Sequence, residues 1–402
     1  MSRTPSAGTV GAAGGSPRRR ALPLALALLA LSGAGGGCAP DPAPDGRDVL
    51  ARAAAYLWSQ QAEDGGWHSA THGIVRGGQA WTPFVLHALL QVPEDVAAPP
   101  EGGVERALGF LRAHVDSSGA LGLGGPVLEY PVYSTAYGLR VLAAHGAPED
   151  TALVRRMARF LQAQQFTERR GITPEHLAYG AWGFGETTLG PGETGHLDLS
   201  HTRRALGALR AAGALDSASA DAATRFLRLL QKHPSSRRPQ PPDGVLTDST
   251  HYDGGFYASS VSVGVNKAGL TAAGVYGSYA TTTADGLLAL LAAGHAPDSE
   301  PVQAALGWLR AHPGWDEPAG LPPDAPGQWQ RVMQFYHLAT RAEAYARLGE
   351  TGWRDDVAAL LAARQRPDGS FANPEGAPNK EDDPLLATAL AVQALSRALR
   401  SP

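Results

Sequence analysis

The chain of 402 residues repeats one pattern six times, and this repeat restricts its fold more than any other feature. A bulky apolar residue followed by leucine recurs inside helical patterns, at separations of 54, 50, 66, 82 and 52 residues. The six pairs are Tyr56-Leu57, Phe110-Leu111, Phe160-Leu161, Phe226-Leu227, Trp308-Leu309 and Leu360-Leu361. A repeated helical unit cannot bury its apolar face alone, so such units stack on their neighbours. We therefore predict six helical repeats, with extra loops in the third and fourth.

Each repeat contains a second helical pattern that differs from the first. The first helices carry Arg and Gln among their apolar residues, whereas the second are rich in Ala, Leu and Gly and almost free of charge. Four second helices stop at Gly146, Gly213, Gly294 and Gly349, as helix C-termini often do. Six enclosed helices inside six amphipathic ones predict an all-α fold, the (α/α)6 toroid, a double ring of about twelve helices. An open solenoid is the alternative, but it would need polar capping units, and both end units look complete.

Composition excludes several classes of protein. Hydrophobic residues make up 43% and charged residues 18%, which argues against disorder and against a coiled coil. The formal charge is −4, although the first 37 residues hold four Arg and no acidic residue. The remainder is therefore more acidic, which disfavours a nucleic acid partner. Cys38 is the single cysteine, so an intramolecular disulfide and a cysteine-based zinc cluster are excluded.

The N-terminus resembles a bacterial lipoprotein signal. Arg18 to Arg20 precede the apolar run 21–31, which is too short to span a bilayer, and small residues then lead to Cys38. The resemblance implies a signal peptide over 1–37, a lipidated Cys38, and a tether over 38–47 before a toroid domain over 48–400. We accordingly expect an exported bacterial lipoprotein, anchored to the membrane through Cys38. An ordinary secretory signal with an incidental cysteine is the alternative.

The connections between helices carry a recurrent turn. Gln61-Ala-Glu-Asp-Gly-Gly-Trp67 is matched by Gln365-Arg-Pro-Asp-Gly-Ser-Phe371, with partial copies at 180–184 and 253–256. A glutamine here can bond free carbonyls, Asp-Gly forms a tight turn, and the aromatic ring packs the turn onto the neighbouring helix. The pattern resembles the QW repeat of the squalene cyclase and protein prenyltransferase superfamily, over residues 47 to 398. The chain looks most like exported bacterial members of that superfamily, whose fold is the α/α toroid.

The resemblance does not extend to the catalytic motifs of the superfamily. Its cyclases start catalysis from an aspartic acid in D-x-D-D-T-A, and the matching stretch here is Asp198-Leu-Ser-His-Thr-Arg203. Ser200 and His201 thus replace two of the acids. Its prenyltransferases hold zinc through D-x-C and a distant histidine, and Ser200 stands at the cysteine position. The sequence therefore predicts no cofactor and no metal, and it leaves open whether the chain is an enzyme.

Polar residues precede or begin almost every inner helix, where a ring would gather them at one mouth. N-capping accounts for Asp198, Ser200, Asp382 and Asp383 equally well. The candidate catalytic residues are Asp198, His201, Asp382 and Asp383. The predicted cavity residues are Tyr133, Ser134, Asp198, Ser200, His201, Tyr279, Thr281, Tyr336, His337, Glu381 and Asp382.

Three functions remain compatible with this sequence. The first is binding, and possible transformation, of an apolar isoprenoid-like molecule by a monomeric toroid. The second is a carbohydrate-active enzyme in which Asp382 or Asp383 acts with Asp198 as acid and base. The third is a scaffold or binding lipoprotein without catalysis, whose cavity is filled by its own side chains. Asp285 and Glu343 lie inside apolar inner helices, so we expect each to be paired or to face the cavity.

Overall fold

A computed structural model describes residues 45–125, 127–186, 188–236 and 251–400. The predicted signal peptide, Cys38 and most of the tether lie outside these residues. The described part contains thirteen α-helices and no β-strand. They are α1 Gly46–Ser59, α2 Trp81–Leu89, α3 Gly103–His114, α4 Pro131–His145, α5 Thr151–Gln164, α6 Leu199–Ala211, α7 Ser217–Leu230, α8 Ala280–Ala293, α9 Glu300–Ala311, α10 Trp329–Val332, α11 Gln334–Arg347, α12 Arg354–Arg364 and α13 Pro384–Ala398.

The helices form six pairs around a closed inner ring, and α10 is a short addition to the fifth pair. The inner helices α2, α4, α6, α8, α11 and α13 each pack on the next, and α13 packs on α2. The outer helices α1, α3, α5, α7, α9 and α12 lie against them, and α12 also contacts α1. The predicted (α/α)6 toroid is therefore confirmed, and the open solenoid is not the fold.

Burial separates the two rings as the residue patterns predict. The first eleven residues of the inner helix α8 are all buried, whereas the outer helix α5 buries only Met157, Ala158, Phe160 and Leu161. Inner helices also end where glycine permits a left-handed residue. Gly146 closes α4 with a φ of 71°, and Gly294 closes α8 with a φ of 107°. None of the helices in the described part of the chain has both the length and the hydrophobicity that a membrane span requires.

The glutamine of the recurrent turn links adjacent outer helices. In the first unit, the amide of Gln61 donates to the carbonyl of Gly65 in its own turn and to that of Gly103 in α3. Three further glutamines make the same pair of bonds, and each reaches the start of the following outer helix. The residues and their two acceptors are Gln165 with Gly180 and Ser219, Gln231 with Gly254 and Pro301, and Gln365 with Gly369 and Val49. The turn therefore ties neighbouring repeats together.

A threonine on five of the six inner helices bonds the backbone of the turn that precedes its helix. In five repeats its hydroxyl accepts a hydrogen bond from a backbone amide at 2.9 to 3.1 Å. The amide and hydroxyl partners are Trp67 with Thr82, Leu121 with Thr135, Trp182 with Thr202, Phe256 with Thr283, and Phe371 with Thr388. In the fifth repeat the hydroxyl of Thr340 is buried without a hydrogen-bond partner.

Candidate functional site

A cavity of about 330 Å³ lies among the N-terminal ends of the inner helices. Inner helices supply about half of its lining residues, and the connections that precede them, including α10, supply the rest. Its lining residues include Ala80, Trp81, Phe84, Tyr130, Tyr133, Ser134, Tyr137, His196, Asp198, Ser200, His201, Arg204, Ala258, Val265, Lys267, Tyr279, Thr281, Asp285, Trp329, Met333, Tyr336, Lys380, Leu386 and Leu390. The volume is at the lower end of the ~300–1,000 Å³ typical of small-molecule pockets.

Aromatic side chains dominate the wall of this central cavity. Phe84 meets Tyr137 edge to face with ring centroids 4.9 Å apart, and Trp81 packs beside Phe84 at 6.3 Å. Tyr279 is buried at the start of α8, where burial raises its pKa. Burial also raises the pKa of Tyr133 to about 12. These phenols therefore remain neutral at physiological pH and present rings and hydroxyls to the cavity.

The floor of the central cavity is built around Arg204. Its guanidinium donates to the Tyr137 hydroxyl at 2.8 Å and lies 3.3 Å from the Asp285 carboxylate. It also faces the rings of Tyr133, Tyr137 and Tyr336 at 5.5 to 5.8 Å. The Tyr336 hydroxyl donates to Asp285 at 2.6 Å, and burial together with the Asp285 charge raises the pKa of Tyr336 well above its ordinary value. The floor is thus a charged pair enclosed by three tyrosines.

A second ion pair continues this network below the floor. Arg203 lies 2.5 Å from Asp285 and 2.5 Å from Glu343, so it joins α8 to α11. Arg397 contacts Glu343 at 3.1 Å. Burial would raise the pKa of Glu343, but Arg203 and Arg397 outweigh it and hold that pKa well below its ordinary value. The expectation that Asp285 and Glu343 are paired or face the cavity is confirmed, and pairing compensates part of the cost of burying them.

Asp198 organises the more exposed side of the cavity. As the N-cap of α6, its carboxylate accepts from the His201 amide at 2.9 Å and from the Ser200 hydroxyl at 2.8 Å. It also bonds the His201 ring at 2.9 Å and the His196 ring at 3.2 Å. Burial opposes ionisation, but the His201 charge and these hydrogen bonds hold the pKa of Asp198 well below its ordinary value. Asp198 is therefore a carboxylate at neutral pH, and it raises the pKa of His196 through their hydrogen bond.

Two lysines also line the cavity, and each lies over an aromatic ring. The Lys267 ammonium is 3.8 Å from the Trp329 ring centroid, and the Lys380 ammonium is 5.1 Å from that of Tyr130. Burial lowers the pKa of Lys267, while the Asp198 charge opposes that shift. The lining therefore carries cations from Arg204 and both lysines. A ligand with a polar or anionic end suits this balance better than a cationic one.

Eight of the residues predicted from the sequence lie in the cavity wall, and whether they bind a ligand stays a prediction. They are Tyr133, Ser134, Asp198, Ser200, His201, Tyr279, Thr281 and Tyr336. His337 lies outside that lining. Its ring is fully buried beside Trp315 and bonds the Gly314 carbonyl at 3.3 Å. Burial and the Arg341 charge lower the pKa of His337 to about 3, so this histidine is a neutral core residue.

The acidic cluster before α13 also lies outside the cavity wall. Glu381 is buried and accepts hydrogen bonds from the amides of Phe335 and Tyr336 at 2.9 and 2.8 Å, which satisfies the start of α11. Burial raises the pKa of Glu381 to about 7. The Asp382 carboxylate bonds the ring of His72 at 2.7 Å, in the loop between α1 and α2.

Asp383 is the N-cap of α13, and its carboxylate accepts from the Ser69 hydroxyl and the Trp81 indole at 2.5 and 2.9 Å. Asp382 and Asp383 thus bond partners outside the predicted cavity set. The N-capping alternative describes Asp383, and an acid and base pair of Asp382 or Asp383 with Asp198 stays a prediction.

Sequence reasoning missed several lining residues. Arg204 directly follows the stretch 198–203, and Trp81 begins α2, but neither residue belongs to a recognisable motif. Lys267 reaches the cavity from the loop before α8, and Trp329 from the short helix α10 before α11. Their only signal was an aromatic or basic residue within a long connection, and such residues are usually solvated.

Comparison with known proteins shows the fold and no family. No family model and no curated protein matches the chain. The apo structure of the type II terpene cyclase MstE from Scytonema is similar with a TM-score of 0.52 and 15% identity, over 88% of this chain and 99% of that one. A D-mannose isomerase is similar with a TM-score of 0.52 and 12% identity, over 87% and 96% of the two chains. The predicted squalene-cyclase-like toroid is confirmed at the level of the fold, which these enzymes of different chemistry share.

Proposed function

We propose that this chain binds a compact, isoprenoid-like molecule in its central cavity. The aromatic wall is the observation that carries the proposal. Trp81, Phe84, Tyr133 and Tyr137 enclose one side of a volume large enough for a short isoprenoid chain. Burying an apolar ligand there contributes about 25 cal/mol for each Å² removed from water. A type II terpene cyclase shares the fold, which makes this ligand class the first to test.

The charges in the wall favour one orientation of such a ligand. Asp198, Lys267 and His196 lie on the more exposed side, whereas Trp81 and Phe84 are buried. A polar or anionic end would therefore lie near the lysines, and the hydrocarbon would lie against the rings. A free alcohol or carboxylate on the isoprenoid fits this arrangement.

The geometry favours binding over cyclisation started by a proton. Protonating an alkene requires a strong acid, and Asp198 is already ionised because two histidines stabilise its charge. Asp285 is hydrogen-bonded to Tyr336 and paired with two arginines. Both cavity carboxylates are therefore committed to partners, and neither is placed as a free acid.

Export and a lipid anchor at Cys38 form a second part of the proposal. The signal-like segment 1–37 and the tether before the toroid support it. Labelling expressing cells with a palmitate analogue should mark the wild-type protein and leave Cys38→Ala unlabelled and unprocessed. Cleavage without labelling would instead support an ordinary secretory signal.

Ligand extraction tests the binding proposal. Purified protein should release one enriched isoprenoid species, detected by mass spectrometry. Leu386 lines the cavity, so Leu386→Trp should fill it and remove that species. Leu360 is a half-buried leucine of the outer helix α12 and does not line the cavity, so Leu360→Trp is the matched control. An extract without an enriched species, or one unchanged by Leu386→Trp, would contradict the proposal.

A further inference from the structure

Three potential metal ligands converge at the edge of the central cavity. Candidate ligand atoms of His196, Asp198 and His201 all lie within 4.8 Å of one another, and no other such group of three occurs among the described residues. The His196 Nε2 to Asp198 Oδ2 distance is 3.2 Å, and the His201 Nδ1 to Asp198 Oδ1 distance is 2.9 Å. We propose that these three residues bind a divalent transition metal ion, with Zn²⁺ as the ion to test first.

An unpartnered nitrogen on one of these residues also points to a ligand in the cavity. His201 lines the cavity and is only 4% exposed. Its Nε2 atom is buried and has no hydrogen-bond partner. Buried polar atoms in native proteins are nearly always bonded. Nδ1 of the same ring faces Asp198 and is the candidate ligand atom for the ion. Nε2 is therefore left for a polar group bound in the cavity beside the metal.

The donor set fits a borderline transition metal better than a hard cation. Two imidazoles with one carboxylate are typical ligands of Zn²⁺, Fe²⁺ or Co²⁺, whereas Mg²⁺ and Ca²⁺ prefer oxygen alone. The set also differs from the zinc ligands of the prenyltransferases that the sequence resembles. Ser200 occupies the position of their cysteine, and its hydroxyl instead donates to Asp198 at 2.8 Å.

The three side chains are held by rigid surroundings, as a metal site requires. Asp198 caps α6, and His201 lies in the first turn of that helix with its ring edge to face on Tyr133 at 4.8 Å. The His196 carbonyl accepts from the Phe184 amide at 2.9 Å, which fixes the segment before the helix. Three protein ligands would leave a coordination position for a group from the cavity. The metal site stands on these residues and does not depend on the isoprenoid proposed above.

Metal titration tests this inference directly. Full-length protein freed of metal by a chelator is titrated with Zn²⁺ and with Co²⁺, by calorimetry and by the visible spectrum of bound Co²⁺. We expect one ion per chain and a higher melting temperature with Zn²⁺. His196→Gln, which changes a half-exposed side chain, should weaken binding by roughly tenfold or more.

A second histidine and aspartate pair provides the matched control. His72 bonds Asp382 at 2.7 Å outside the cavity and has no third ligand beside it, so His72→Gln should leave the affinity unchanged. Circular dichroism and melting temperature establish that both variants are folded. Absence of stoichiometric binding to the wild type, wild-type affinity in His196→Gln, or an equal loss in His72→Gln would each overturn the proposal.

Discussion

Gln365 closes the ring by donating its side-chain amide to the carbonyl of Val49 at 2.8 Å, across 316 residues of sequence. The same amide donates to Gly369 at 3.0 Å. The last outer helix is thereby joined to the first by the same contact that joins several other neighbouring repeats. The glutamine contact that joins neighbouring repeats thus also joins the last repeat to the first.

Removing this closing contact should destabilise the protein. Gln365→Ala removes two hydrogen bonds, which destabilises the protein. It also removes the buried Gln365 Oε1, an acceptor without a partner, which offsets part of that loss. We therefore expect the free energy of unfolding to fall by about 1–2 kcal/mol. Urea denaturation measures it. Gln303 is exposed and its side-chain amide donates to the nearby Pro297 carbonyl, so Gln303→Ala should change little. Equal stability of the two variants would contradict a role for Gln365 in closure.

The inner-helix threonines allow a closely matched comparison. Thr388→Val would leave the Phe371 amide without its acceptor, at a cost of about 1–3 kcal/mol. Thr340 occupies the corresponding helix of the fifth repeat, but its buried hydroxyl has no partner, so Thr340→Val should be neutral or stabilising. Thermal unfolding compares the two substitutions. A similar loss from both would show that the turn does not depend on this hydrogen bond.

Buried and exposed ion pairs should respond differently to neutralisation. Glu343→Gln leaves Arg203 and Arg397 without their shared carboxylate, so we expect a loss of roughly 3–5 kcal/mol. Glu350 pairs with the exposed Arg310 at 2.5 Å, and Glu350→Gln should cost less than about 1 kcal/mol. Denaturant unfolding at neutral pH tests both. A small effect of Glu343→Gln would mean that the network beneath the cavity contributes little.

Glu381 should make stability depend on pH. Its pKa in the folded protein is about 7, above the ordinary 4.5, because it is buried. Protonated Glu381 therefore contributes its full share of the folding stability below the pKa that it has in the unfolded chain. This share is lost as the pH rises through about 7, its pKa in the folded protein. The shift corresponds to roughly 3 kcal/mol. Glu381→Gln should remove this part of the pH dependence.

The test compares unfolding free energies at pH 5 and pH 8. Wild type should lose more stability over this interval than Glu381→Gln, whatever the difference between the two proteins at pH 5. Glu375 is an exposed glutamate in the same loop, and Glu375→Gln should follow the wild type. Parallel pH profiles of wild type and Glu381→Gln would show that the carboxyl does not titrate in this range.

The fold was predictable because it depends on short-range patterns. The apolar pairs, the glycine stops and the Gln61 turn each report on one helix or one connection, and the six apolar pairs give the number of repeats in the toroid. The site was predictable only where a residue begins an inner helix, as Tyr133 and Asp198 do. Lys267 and Trp329 reach the cavity from the long connections before α8 and α11, whose paths depend on tertiary packing.

Polar residues at helix starts also proved ambiguous. Asp198 and Asp383 are both N-caps, yet Asp198 lies in the cavity wall and Asp383 does not. His201 and His337 lie in the first turns of equivalent inner helices, but the ring of His337 is buried beside Trp315. Sequence position identifies the helix end, whereas side-chain direction and the packing of the outer ring decide which residue meets the cavity.

Direct binding of farnesol is the measurement that tests the central claim most directly. Tryptophan fluorescence follows the titration, because Trp81 and Trp329 line the cavity. We predict saturable binding of one farnesol per chain by the wild type and by Leu360→Trp, and an affinity at least roughly tenfold lower for Leu386→Trp, since a single bulky side chain can fill a small pocket. D-mannose should not compete. Absence of saturable binding, displacement by D-mannose, or equal affinity in Leu386→Trp would contradict an isoprenoid-binding cavity at the centre of the ring.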